Sequence, residues 1–121
     1  RKMEFSESLK KNKDFRLVYE NGRSYANKYL VMYVYKNGSN WNRIGISVSK
    51  KVGNSVVRHR LTRLIREAYR LNENLYEQGL DIIFVVRVNG KNIGYHQMVS
   101  AMLHVSGIHN VLKRRDNHEV T

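Results

Sequence analysis

The stretch RIGISVSKKVGNSVVRHRLTRLIREAYRL, from Arg43 to Leu71, changes its hydrophobic period part-way along, and that change decides the architecture. At its start Ile44, Ile46 and Val48 alternate with Gly45, Ser47 and Ser49. This is the two-residue repeat of a strand with one aliphatic and one small-residue face. Gly53-Asn54-Ser55 then breaks the chain and offers caps for a helix over residues 56–71. At about 100° per residue, with Arg58 at zero, Val57, Leu61, Leu64, Ile65, Ala68 and Leu71 fall between about 220° and 340°. On the same wheel His59, Arg60, Arg63, Arg66 and Arg70 fall between about 80° and 200°. Such a helix has one side to bury and one cationic side to expose.

Downstream, residues 72–79 read as a polar connector. Residues 80–88 are almost continuously apolar, the pattern of a central strand covered on both faces. Residues 94–114 predict a final helix, with Met98, Met102, Val105, Ile108 and Leu112 near helical spacing. Upstream, residues 27–36 read as a strand with Tyr29, Val31, Tyr33 and Tyr35 on one face and Leu30, Met32 and Val34 on the other. A turn over residues 36–40 would join it in a hairpin to the strand beginning at Arg43. Asn12 is placed to cap a helix ending near Glu20, with Asn21-Gly22 as a left-handed stop. Phe15, Val18 and Tyr19 share one side of it. The predicted order α-β-β-α-β-α implies one α+β domain across residues 1–121, a small mixed sheet with three helices packed on it. Residues 1–6 and about 115–121 are expected to fray.

The 121 residues include 22 Lys and Arg against 10 Asp and Glu, with no Cys and no Pro, for a net charge of +12. Without Cys there is no disulfide scaffold, thiol catalysis or Cys-type zinc site, and a reducing, cytoplasmic setting is expected. No apolar run approaches the roughly 20 residues of a membrane span. Residues 50–70 hold seven cations and one acid, a net +6 of the chain's +12. Five of the seven are Arg, whose planar fork suits phosphate. Nucleic acid is therefore the expected partner. Lys50, Lys51, Asn54, Arg58, His59, Arg60, Arg63, Arg66 and Arg70 are its candidate contacts. Backbone N–H groups of the 52–55 loop could hold an anion at the helix start. Phe15, Tyr19, Tyr29, Tyr33 and Tyr35 could stack unpaired bases. The five His residues show no HExxH spacing, and the acids are few and scattered, so neither a metal site nor a protein catalytic constellation is expected.

Residues 47–67, SVSKKVGNSVVRHRLTRLIRE, resemble the signature of the bacterial ribonuclease P protein subunit, which runs from a serine-lysine strand end through Gly-Asn into an arginine helix. LKKNKDF at residues 9–15 and YENG at 19–22 are similar to that family's first helix, and DIIFVVR at 81–87 to its later strand. His59 stands where the family usually has Asn, and Thr62 where Lys is common. The resemblance implies a ribosomal-protein-like fold with a left-handed βαβ crossover. It implies that the large RNA subunit, with its Mg²⁺, is the catalyst, and that the protein binds this RNA through the arginine helix and preceding loop. It also implies a cleft, lined by Phe15, Tyr19 and Tyr33, that takes the 5′ leader of precursor tRNA. A ribosomal-type structural RNA-binding protein without a processing role is the alternative.

Overall fold

The computed structural model describes residues 2–114. Its strands are β1 (Ser6–Ser8), β2 (Arg23–Ala26), β3 (Leu30–Lys36), β4 (Asn42–Ser47) and β5 (Leu80–Val86), and its helices α1 (Asn12–Asn21), α2 (Ser55–Asn72) and α3 (Tyr95–Ile108). One mixed sheet runs in the order β1-β4-β5-β3-β2. Parallel pairs are β1 with β4 and β4 with β5; antiparallel pairs are β5 with β3 and β3 with β2. The α+β class and three helices match the sequence reading, and α2 forms the crossover between the parallel neighbours β4 and β5.

Strand β5 holds the centre because it is apolar on both sides: Ile82, Ile83 and Phe84 are all fully buried. Ile82 and Phe84, with Leu30, Met32, Val34 and Ile44, face α2 and α3, which supply Leu61, Ile65, Ala68, Tyr69, Met98, Met102 and Val105. On the opposite face Ile83 joins Leu9 and Val18 beneath α1, flanked by Phe15, Tyr33, Tyr35 and Val85. Asp81, fully buried, clamps this side: it accepts from Arg43 Nε and Nη2 at 2.9 and 2.6 Å and from Asn37 Nδ2 at 2.8 Å. Arg43 Nη1 reaches Asp14 of α1 at 3.2 Å, so the guanidinium ties helix to sheet.

Several expectations change. The predicted hairpin does not form, because β5 inserts between β3 and β4 and pairs with both. Two short strands, β1 and β2, add to the three predicted. Residues 4–6 are tethered rather than frayed. Glu73, in a single 3-10 turn after α2, accepts the N–H groups of Glu4 and Phe5 at 2.8 and 2.9 Å. Ser6 shares a 2.8 Å hydrogen bond with the Tyr69 hydroxyl. The Asn42 amide completes that bracket, donating to Tyr69 and to the Glu77 carbonyl and accepting from Leu80 N–H. Helix α1 begins at Asn12 itself, with Lys11 at the cap. Gly22 has φ −81°, so it is no left-handed stop; a Cβ there would lie 2.7 Å from the Val18 carbonyl oxygen. Helix α3 ends at Ile108, not Arg114; Asn110 turns the chain at φ 59° and Leu112 forms a bridge with Tyr76. The expected fraying of residues 115–121 lies outside the described residues.

The end of α3 is fastened to the sheet by His109, whose Nε2 donates to the Met32 carbonyl at 2.7 Å while Tyr25 meets its ring edge-on at 4.7 Å. Burial, aided by the nearby Arg23 charge, pushes the His109 imidazole below its ordinary value and outweighs the Met32 contact. The folded state therefore holds this ring neutral where the unfolded chain binds a proton. The resulting stability is fully present above about pH 6.5, the unfolded value, and is lost as pH falls from there through the lower folded-state value. Urea midpoints are expected to drop from pH 7.5 to 5.5, and His109→Gln, which keeps a donor for Met32, to shrink that drop. The same drop in the variant would refute the assignment.

Candidate nucleic-acid interface

Strand β4 delivers the chain to a turn carrying Lys50 and Lys51, both exposed. Gly53 lies against Val57 so tightly that a Cβ would come within 2.7 Å of its Cγ1. Asn54 caps α2, its side-chain oxygen accepting the Val57 N–H at 3.0 Å. That oxygen is thereby committed to the helix start. From Asn54 to Arg70 the helix rises about 24 Å, at roughly 1.5 Å per residue.

The buried side of α2 is Leu61, Ile65, Ala68 and Tyr69. It is turned from the predicted apolar arc toward Tyr69, and Leu71, expected inside, is 53% exposed. The rotation sorts the predicted contacts. His59, Arg60, Arg63 and Arg66 are exposed together on the outer side. Arg60 also straps α2 to the loop before α3, donating to the carbonyls of Lys91 at 2.6 Å and Ile93 at 3.2 Å. Arg70 is held by Glu67 through Nε and Nη2 at 3.0 and 2.7 Å, hydrogen bonds that raise its guanidinium above the ordinary value. Arg58 sits apart, half-buried near Ile46, Val48 and Thr62, its Nε enclosed without a hydrogen-bond partner among the described residues. The structure thus brings four of the nine predicted contacts together on the outer side of α2, His59, Arg60, Arg63 and Arg66, exposes Lys50 and Lys51 on the turn that precedes the helix, and leaves Asn54, Arg58 and Arg70 in other settings.

The aromatic candidates lie on the opposite face of the sheet. The Phe15 and Tyr19 rings are 6.3 Å apart, and Tyr19 meets Tyr33 edge-on at 4.8 Å. Gly45 makes this possible: a Cβ there would sit 2.7 Å from Phe15 Cζ, so only glycine lets the ring lie on the strand. Tyr19 stays 39% exposed. Tyr29 does not join them; it precedes β3, packs on the larger core and accepts a 2.7 Å hydrogen bond from Gln97. Beyond α1 this face continues past Gly45 to Ser47, and the same strand leads on to Lys50 and Lys51.

A protein-family model described as Ribonuclease P matches residues 3–108. The chain belongs to the ribonuclease P protein family. The ribonuclease P protein component of Lachnoclostridium phytofermentans is 57% identical over 107 residues, 88% of this chain and 92% of that one. That of Clostridioides difficile is 47% identical over 112 residues, covering 92% and 93%. The RNase P protein of Staphylococcus aureus superimposes with a TM-score of 0.81 at 36% identity, over 88% of this chain and 97% of that one. For Thermotoga maritima the values are 0.75 and 30%, over 80% and 92%. Membership of the ribonuclease P protein family implies an RNA-binding role in tRNA processing, in partnership with the RNase P RNA. Among the described residues no helix is long and apolar enough to cross a membrane.

Sequence reasoning missed Tyr95, which with Val56 and Leu64 of α2 lines a groove beside Arg60 and Arg63. Tyr95 opens α3, and only the folded chain brings it beside α2. Arg63→Ala is expected to weaken affinity for RNase P RNA and to flatten the slope of log affinity against log salt by about one unit. An unchanged slope would place Arg63 off the phosphate path.

Proposed function

We propose that this chain is the accessory subunit of a ribonucleoprotein endonuclease, binding the catalytic RNA of ribonuclease P and the 5′ leader of precursor tRNA and assisting removal of that leader. One observation carries the reading: exposed cations on α2 and an aromatic cluster under α1 lie on opposite faces of one sheet. The outer side of α2, with the Lys50-Lys51 turn, offers closely spaced cations. They neutralise phosphates of a folded RNA, and each neutralised phosphate releases condensed counterions. Arg63 and Arg66 add forked hydrogen bonds that a lysine cannot make.

The face beneath α1 offers a cluster of rings. A leader is single-stranded, so its bases are free to stack on Phe15, Tyr19 and Tyr33, at about 1–3 kcal/mol per stacked base. Mature tRNA has lost that segment, so the cleft favours precursor over product. The chemistry itself belongs to the RNA. The best-placed carboxylates are spent on structure: Asp81 and Asp14 on Arg43, Glu73 on two backbone N–H groups, Glu67 on Arg70. In this reading Mg²⁺ is held mainly by the RNA subunit; among the described residues no three His, Asp or Glu come together as a protein cage for a metal ion.

Cleavage of precursor tRNA by the cognate RNA at low Mg²⁺, with and without the protein, tests this. The protein is expected to raise the rate and to tighten precursor over mature tRNA. RNA binding with no gain in cleavage would make it a structural RNA-binding protein, and cleavage by the protein alone would make it a nuclease. Tyr33→Ala is expected to cost about 1–3 kcal/mol in precursor binding and to spare mature tRNA. Equal losses for both would reflect damage to the fold.

A further inference from the structure

The groove between α2 and the start of α3 has a lining that a phosphate surface does not need. It is open, about 830 Å³, and combines Arg60 and Arg63 with Val56, Leu64 and Tyr95. Val56 is 75% exposed on the first turn of α2. An apolar residue so placed among cations contributes nothing to phosphate binding and little to the core. Tyr95 is half-buried against the core, which fixes its ring at the groove's edge, and the neighbouring His96 ring meets it at 5.5 Å. Arg60 spans the gap between the helices through Lys91 and Ile93, so the groove's walls are set before any ligand arrives. Its one acid, Glu67, is bound by Arg70. The result is an apolar floor between positive walls, of a size that holds a small planar group.

We propose that this groove receives one unpaired nucleobase of the RNase P RNA, with Tyr95 as its stacking platform and Arg60 and Arg63 on the flanking phosphates. The inference rests on the assignment of the α2 surface to that RNA, and it adds a contact that reads an extruded base instead of backbone charge. Cations favour a nucleic acid over an apolar protein segment here, and the ring favours an unpaired base over a duplex, whose bases are stacked on one another.

The test compares two dependences on salt. Affinity for the cognate RNase P RNA is measured over a range of salt for the unaltered protein, Tyr95→Leu, Tyr95→Phe, Val56→Ser and Arg63→Ala. Stacking is not a counterion effect, so Tyr95→Leu is expected to weaken binding on the order of 5- to 100-fold with the salt slope unchanged. Tyr95→Phe keeps the ring and is expected to bind like the parent. Val56→Ser touches only the exposed floor, leaves the core intact and is expected to give a smaller loss, again independent of salt. Parental affinity in both Tyr95→Leu and Val56→Ser, while Arg63→Ala still flattens the slope, would overturn the base pocket and leave the phosphate surface standing. A loss in Tyr95→Phe equal to that in Tyr95→Leu would overturn stacking in favour of the hydroxyl. If the unaltered protein shows no salt-dependent binding of this RNA, both assignments fall.

Discussion

The cationic surface depends on what lies behind it. Leu61, Ile65, Ala68 and Tyr69 are sealed between α2 and the sheet, and burying a side chain the size of Leu or Ile contributes about 1.5–3 kcal/mol. Turning the helix by one residue, about 100°, would bring arginines inward and these side chains out. The dry side therefore fixes the azimuth of His59, Arg60, Arg63 and Arg66. It also offsets a cost: like charges three and four residues apart repel by a few tenths of a kcal/mol per pair, and Arg60-Arg63, Arg63-Arg66 and Arg66-Arg70 have those spacings. A surface left electrostatically unsatisfied and mechanically fixed is one that an anionic partner relieves on docking.

The same sheet sets the second surface through different residues. β5 is apolar on both sides, so helices can cover both. On the far side Gly45 lets Phe15 lie on β4, and Phe15 aligns Tyr19 toward Tyr33. Strand β4 connects the two surfaces along the chain, carrying Gly45 under Phe15 and leading on to Lys50 and Lys51 before α2. A bracket of Ser6, Asn42 and Tyr69 ties the edge strand, β4 and the end of α2 together, so the distance between the surfaces is built into the core.

Much of this was legible in the sequence because period is a local property. The strand-to-helix change from Arg43 to Leu71, the apolar β5 and the alternating faces of β3 all stand in the structure. What was missed is non-local. No local signal says that β5 separates β3 from β4, and β1 and β2 are too short and polar to show a period. Ser6 and Glu73 read as surface residues and are buried because each finds a distant partner. Tyr69, on the Arg58 side of the wheel, is buried with its hydroxyl satisfied by Ser6 and Asn42, and this rotates the dry side of the helix toward Arg58. The aromatic trio was named from the tyrosine face and the family resemblance together, whereas Tyr95 waits on the packing of α3 against α2.

The central claim is that two RNA segments dock on opposite faces of one sheet. With no native cysteine, the chain accepts a single introduced one as the anchor for a reagent that cuts nearby RNA. Ser55→Cys places it at the start of α2 and Arg16→Cys on α1, both at exposed positions. In the complex with RNase P RNA and precursor tRNA, the reagent at position 55 is expected to cut the RNase P RNA and spare the leader, and the reagent at position 16 to cut the leader. Cutting of one and the same RNA segment from both positions would contradict the account.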